Sequence, residues 1–432
     1  MRTGFSALQL LDPHLSDAEK SLRACMHCGI CTATCPTYAL LGDERDGPRG
    51  RIVMMQEMLQ SGDVNAETVL HVDRCLSCLA CRTACPSNVD YARLVDAARA
   101  HIESHYRRPI GARLSRWFIA NVMTQPRLLG TALVLARRFA SVAPVLPRTL
   151  RVILEKGAAV RTERPHRLPA AALQTHERPV GVFPCCVQEA VAPGIDEALT
   201  RILARRGISA MSVQSHGCCG ALSHHMGRTE EAKACARRAI ETFESGEKRF
   251  GYQAITISAT GCAAHMADYP GLFRGDAEWE LRAKALAAKF RDVSLLIDPK
   301  PSTAVRRRRV ALHSPCSARN ALMPLGEPRA LLEAAGFDVA LIPEDHLCCG
   351  SAGSYSLLQP EISEQLKMRK LGNIASVTPD LIATGNIGCL IQLSSQRGPA
   401  VVHYVELLDW AEGGPKPAAM RFADVEGPRS RD

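Results

Sequence analysis

Two kinds of apolar pattern divide the chain. Up to about residue 160 the apolar positions fall at helical spacing; from residue 179 short strand-like runs alternate with amphipathic helical stretches. Ser16-Asp17-Ala18-Glu19 reads as a capping box that starts a helix leading to Cys25. Gly47-Pro48-Arg49-Gly50 followed by RIVMMQEML predicts a turn and a helix closed by Ser61-Gly62, and a further helix is expected over Tyr91 to Tyr106. ARLSRWFIANVM and LLGTALVLARRFASV predict two amphipathic helices separated by Gln125-Pro126, and Val160 to His176 reads as a linker.

The pattern after residue 179 repeats itself. RPVGVFPCC and RRVALHSPC each read as a strand running into cysteine. Each is followed by a helix (GIDEALTRILARRG; EPRALLEAAG), a short strand (ISAMSV; FDVALI) and Cys-Cys-Gly. A second helix and a strand ending in Gly-Cys complete each unit (AITISATGC; LIATGNIGC). Strands alternating with helices predict two small α/β units with parallel sheets, their cysteines at strand ends where such sheets place ligand sites. The expected fold class is therefore α+β multidomain. An α-helical domain spans 1–106, a basic helical segment and linker 107–178, and the two repeats 179–305 and 306–432.

Composition narrows the chemistry. The chain has 432 residues, 46% of them hydrophobic, a net charge of +9 and 18 cysteines. Its arginines concentrate between residues 107 and 167 and at Arg306–Arg309, yet aromatics are only 5% and no nucleic-acid module is present. A solvated basic face is the ordinary reading of such a stretch, with docking to an anionic membrane or acidic partner as the alternative. The cysteines sit in C-x-x-C and Cys-Cys pairs, which suit metals better than loop closure in a secreted scaffold. The N-terminus lacks an apolar signal core, and the longest apolar stretch, Leu128 to Ala136, is about half a spanning length. A cytoplasmic protein is expected.

Cys25-x2-Cys28-x2-Cys31-x3-Cys35-Pro36 is followed by Cys75-x2-Cys78-x2-Cys81-x3-Cys85-Pro86, the spacing of bacterial two-cluster ferredoxins. Three thiolates of each run wrap one cluster, and the fourth points away to the other. One [4Fe-4S] cluster is thus expected on Cys25, Cys28, Cys31 and Cys85, the second on Cys75, Cys78, Cys81 and Cys35. Zinc sites pair two C-x2-C units and do not fit these triplets. The helical connector between the runs favours an α-helical ferredoxin-type domain.

The second constellation is Cys186-x31-Cys218-Cys219-Gly220 with Cys262, mirrored by Cys316-x31-Cys348-Cys349-Gly350 with Cys389. It resembles the Cys-Cys-Gly domain of heterodisulfide reductase subunits and of iron–sulfur subunits of flavin-linked dehydrogenases. The fullest version of that domain ends in C-x2-C; here the last elements are Cys262-x2-His265 and Cys389-x2-Gln392, one thiolate short in each half. The repeats are candidates for a further cluster, with His265 or Cys185 as the substitute ligand. Cys235, mid-helix in KACARRA, reads as a packing residue. His224-His225 line the first Cys-Cys-Gly loop, and Gly350–Ser354 lacks the lysine of a phosphate loop.

The longer words RACMHCGICTATCPTYALLGDERDGPRGRI, DRCLSCLACRTACPS and HLCCGSAGSYSLLQPEIS with TGNIGC resemble the iron–sulfur subunits of bacterial glycolate oxidase (glycolate dehydrogenase). That resemblance implies an oxidoreductase subunit relaying electrons from glycolate oxidation on a partner flavoprotein, which carries the FAD, toward a quinone at the cytoplasmic membrane face. No flavin or nicotinamide fingerprint and no nucleophile–base arrangement is found in this chain, so no catalytic residue is assigned. The cysteines alone license electron transfer. Iron–sulfur subunits of anaerobic glycerol-3-phosphate or lactate dehydrogenases, a disulfide-reductase-like subunit and a structural metal scaffold remain alternatives at this stage.

Overall fold

A computed structural model describes residues 2–163, 179–213, 217–302, 308–322, 326–394 and 398–425. Residues 164–176 of the expected linker and Arg306 and Arg307 of the second basic cluster lie outside the described residues.

The first helix begins earlier than Ser16. It spans Pro13–Ala24, because Pro13 takes its first position and the Asp12 carboxylate accepts from the His14 and Leu15 amides. Glu19 is buried instead of capping; it accepts from Thr3 Oγ1 at 2.7 Å and pairs with Arg23. The connector between the cysteine runs is helical as expected, as Pro48–Ser61 and Ala66–Asp73. Together with Tyr91–His105 these helices enclose Leu22, Met55, Leu59, Val72, Leu94 and Ile102, each at most 2% exposed. Burial of such a side chain contributes about 1.5–3 kcal/mol. A small helical core thus braces two cysteine loops that have little regular structure of their own.

The arginine-rich stretch forms three helices, Ile110–Asn121, Pro126–Arg138 and Arg148–Ala159, the last beyond the two expected. Part of its charge is structural. Arg108 and Arg116 are largely buried and share Asp73 and Glu103, while Arg116 Nη1 also donates to the Met226 carbonyl at 3.0 Å. The segment is thereby tied to the first domain on one side and to the first repeat on the other.

Both repeats contain parallel sheets. In the first, β1 (Pro179–Val182), β2 (Ser209–Ser212) and β3 (Ala254–Thr256) take the order β2-β1-β3, with Val180 opposite Ala210 and Ala254. In the second, β4 (Arg309–His313), β5 (Asp338–Ala340), β6 (Leu381–Thr384) and β7 (Ala400–His403) take the order β5-β4-β6-β7. Strand β7 is the one the repeat pattern omits. The two sheets share a core in which Val180, Leu199 and Ile202 meet Leu331, Leu381 and Val402. The architecture is α+β multidomain, and the central strands β1 and β4 each deliver the chain to a cysteine. Among the described residues no helix is long and apolar enough to cross a membrane.

Candidate metal centres

The cysteine loops turn back through residues with left-handed backbone: His27 (φ 54°) and Gly29 (φ 82°) in the first run, Ser77 (φ 52°) and Leu79 (φ 57°) in the second. These turns bring thiols from distant positions together. Burial, then the neighbouring Cys25, Cys85 and Cys28 sulfurs, push the Cys31 thiol up to about 11. Burial, then Cys78, Cys75 and Cys35, raise Cys81 well above its ordinary value. Each triplet is therefore accompanied by the fourth cysteine of the other run. Four soft sulfur donors per group fit an iron–sulfur cluster. Cys25, Cys28, Cys31 and Cys85 line an open cleft beside Pro48 and Arg49. Cys28 is exposed there, and Met26 and Ile30 beside it are 79% and 54% exposed.

The second group is enclosed by charge. Arg51, 1% exposed, donates to the His71 carbonyl at 2.7 Å and Thr37 Oγ1 at 3.0 Å, and its Nη1 lies 3.9 Å from Cys35 Sγ. Asp46, fully buried, faces Arg51 at 3.4 Å, His71 Nδ1 at 2.9 Å and Arg74 Nη1 at 2.8 Å. Arg99 donates to the Cys75 carbonyl and to Ser77 Oγ, both at 2.6 Å. Burial opposes ionisation of Cys75, yet the guanidinium groups of Arg51 and Arg99 hold its thiol below the ordinary value.

In the first repeat six sulfurs converge, two more than the spacing singled out. Cys262 Sγ lies 3.7 Å from Cys185 Sγ. Further sulfur–sulfur contacts join Cys185 to Cys186, Cys186 to Cys218, Cys218 to Cys219 and Cys219 to Cys262. Cys235 packs against the core of this repeat as its sequence reading has it, and also stands against Cys218. The reason is the close approach of helix Thr229–Phe250 to the Cys-Cys-Gly turn. Gly220 has φ +91°, and a Cβ there would sit 2.9 Å from the Ala232 carbonyl and 3.2 Å from the Cys235 Cβ. His265 instead joins a ring layer with His224 and Tyr269 at centroid distances of 5.1 and 5.4 Å, and Tyr269 donates to the Cys219 carbonyl.

In the second repeat Cys316 and Cys348 lie 3.8 Å apart, and Cys349 and Cys389 3.4 Å apart. Gln392 does not approach as a donor; its amide is committed to Ser363 Oγ at 2.9 Å. This site adjoins the second ferredoxin-type group. Cys316, Cys348 and Cys78 share one apolar cluster with Leu76 and Tyr355, and Asn320 Nδ2 donates to the Cys78 carbonyl at 2.8 Å.

Comparison with known proteins meets this geometry. Residues 21–89 match the 4Fe-4S dicluster domain model, and 180–267 and 310–394 each match the Cysteine-rich domain model. The chain is 36% identical over 398 residues to the glycolate oxidase iron-sulfur subunit of Escherichia coli (strain K12), covering 91% of this chain and 95% of that one. It belongs to the family of glycolate oxidase iron–sulfur subunits. A probable glycolate oxidase iron-sulfur subunit of Bacillus subtilis (strain 168) is 29% identical over 406 residues, covering 87% and 89%. Lactate utilization protein A of Shouchella clausii (strain KSM-K16) is 28% identical over 222 residues, half of this chain and 90% of that protein.

As a member of this family the chain is an iron–sulfur electron-transfer subunit of an oxidoreductase, with a 4Fe-4S dicluster domain at its N-terminal end. Three features of this glycolate oxidase-type subunit escape a reading of cysteine spacing. Cys235 was hidden by its position within a helix. Asp46 and Arg51 lie inside the quoted word GDERDGPRGRI, where neither burial nor pairing can be seen. His313 ends strand β4 at 1% exposure, and burial lowers its pKa to about 3, leaving a neutral imidazole.

Proposed function

We propose that this chain relays electrons within a flavin-dependent glycolate dehydrogenase. A partner flavoprotein carrying FAD oxidises glycolate to glyoxylate, and this chain conducts the electrons toward a quinone. Cys25, Cys28, Cys31 and Cys85 hold one [4Fe-4S] cluster; Cys75, Cys78, Cys81 and Cys35 hold the other. Such clusters supply one-electron acceptance and release when bound, which divides the two-electron output of a flavin. The observation that carries the reading is the sequence of thiol groups through the molecule. It begins at exposed Cys28, continues at the enclosed group of Cys78, and reaches Cys316 and Cys348 in the second repeat. Domain limits at 106, 178 and 305 are part of this proposal, and the three matched family regions fall within them.

The test uses the purified complex. It should oxidise glycolate in preference to lactate and glycerol 3-phosphate, and the chain alone, reconstituted with about eight iron from the ferredoxin runs, should oxidise none of them. A complex lacking this chain should still reduce a small dye that reaches the flavin, while quinone reduction is lost. Glycolate turnover by the isolated chain would overturn the relay. Preference for lactate would favour the second reading, which rests on similarity to lactate utilization protein A over half of this chain.

The proposal places the complex on the cytoplasmic membrane face through residues 107–163. There, exposed Ile110, Leu114, Trp117, Leu128 and Leu135 interleave with exposed Arg113, Arg127, Arg137 and Arg138. Mixed basic and apolar helices suit an anionic interface. Association with anionic vesicles should weaken several-fold with rising salt, because screening shortens the reach of exposed charges. Trp117→Glu should weaken it as well. Cosedimentation unchanged by either would leave only a solvated surface.

A further inference from the structure

The two repeats use different donors at equivalent positions. Strands β1 and β4 are the matching central strands, and each leads to the first paired cysteine of its unit three residues further on: Phe183 before Cys186, His313 before Cys316. Phe183 is fully buried in the apolar core of the first repeat. His313 is equally enclosed, at 1% exposure, but neither ring nitrogen has a hydrogen-bond partner. The nearest acid, Asp345, stands 4.0 Å from Nδ1, beyond hydrogen-bond distance, and its facing oxygen is unpartnered too. A buried imidazole with two unsatisfied nitrogens is costly, and its place could have been filled by a phenyl ring, as in the first repeat.

What His313 faces is sulfur. One of its nitrogens, Cys349 Sγ and Cys389 Sγ all lie within 4.8 Å of one another, all three residues buried. Among the described residues this is the one group of histidine, cysteine or acidic donors meeting that distance. Cys316 and Cys348 stand beside it. The unit lacks the second cysteine of a C-x2-C, and Gln392, which occupies that position, is turned to Ser363.

We propose that His313 is a ligand of a mixed imidazole–thiolate iron–sulfur centre in the second repeat. Cys349 and Cys389 are its immediate co-ligands, and Cys316 and Cys348 complete the donor set. The inference rests on the electron-relay reading and adds to it a third centre, distinct in donors from the two ferredoxin-type ones. The first repeat, with Phe183 in place of the histidine and six thiols gathered, offers sulfur where the second offers nitrogen. Replacing an anionic thiolate by a neutral imidazole favours the reduced state of a cluster. The third centre should therefore have a higher potential than an all-thiolate cluster in the same pocket.

The whole chain, reconstituted anaerobically with iron and sulfide, provides the test. With histidine selectively labelled with 15N, pulsed paramagnetic resonance should show a strongly coupled nitrogen changing from the 14N to the 15N pattern, on a signal separate from the two ferredoxin-type clusters. His313→Phe, which copies the first repeat and preserves packing, should lose that coupling and the third centre's iron in 57Fe Mössbauer spectra. The ferredoxin signals should stay intact. His313→Cys should retain a centre, without histidine coupling and at a lower potential. A third centre with no histidine coupling, one unchanged by His313→Phe, no third centre, or zinc bound there would each overturn the proposal. Intact ferredoxin signals and glycolate-dependent reduction in those cases would leave the relay itself standing; their loss would mark failure of the relay.

Discussion

Cys35→Ser is expected to erase the paramagnetic signal of the cluster on Cys75, Cys78 and Cys81, although Cys35 lies in the other run. The cluster on Cys25, Cys28 and Cys31 should persist, with loss of about four of the eight ferredoxin-type iron atoms. The expectation follows from where the sulfurs lie. Cys81 feels Cys78, Cys75 and Cys35 ahead of Cys31, and Cys31 feels Cys25, Cys85 and Cys28. Cys35 is also buried beside Thr37 Oγ1 at 3.3 Å and Arg51, in the enclosed surroundings of the second group. Cys85→Ser should give the converse result. If ligation is crossed as proposed, metal joins the two runs, and each variant should also unfold more readily than the parent. Spectra are therefore to be read on material shown by size to be folded. Loss confined to the cluster nearer in sequence would mean local ligation.

What could be read from the residues alone is what short local patterns encode. Two runs of C-x2-C-x2-C-x3-C-P encode their ligand geometry in a few consecutive positions, and the repeat encodes its own boundaries by recurring. Parallel strands leading to Cys186 and Cys316 were legible for that reason. Features set by packing between distant segments were not. Strand β7 is matched in the first repeat only by a single parallel bridge between Ile255 and Phe290, too short for repetition to announce a strand. The helix start at Asp12 lost to a competing capping signal at Ser16. Cys235 carries the same local signature as a core residue; in the second repeat Leu366 takes the equivalent place against Gly350. His313 looked like a strand residue, since its meaning depends on Cys349 and Cys389, more than thirty residues away in sequence. The burial of Asp46 and Arg51 is set by their packing against His71 and Arg74, which the sequence does not display.

Those two charges carry the largest stability effect expected away from the cysteines. Asp46→Ala should destabilise the first domain by about 3–5 kcal/mol, the usual cost of removing one partner of a buried ion pair. Arg51 would be left almost wholly enclosed and without its carboxylate, and His71 and Arg74 would lose an acceptor. Asp46→Asn should cost less, since an amide oxygen can still accept hydrogen bonds while the charge is gone. Asp46→Leu combined with Arg51→Met should recover much of the loss, because removing both charges leaves neither uncompensated. The measurement is the urea midpoint at which the reconstituted clusters are released. A shift equivalent to less than about 1 kcal/mol for Asp46→Ala would show that the network behaves like a surface pair. Arg51→Met alone has a second readout. Its guanidinium stands 3.9 Å from Cys35 Sγ and helps hold the Cys75 thiol down. Removing that positive charge should lower the potential of the second cluster and leave the first unchanged. Two separable signals, stability from Asp46 and potential from Arg51, would establish that one buried network both closes the domain and tunes the centre next to the second repeat.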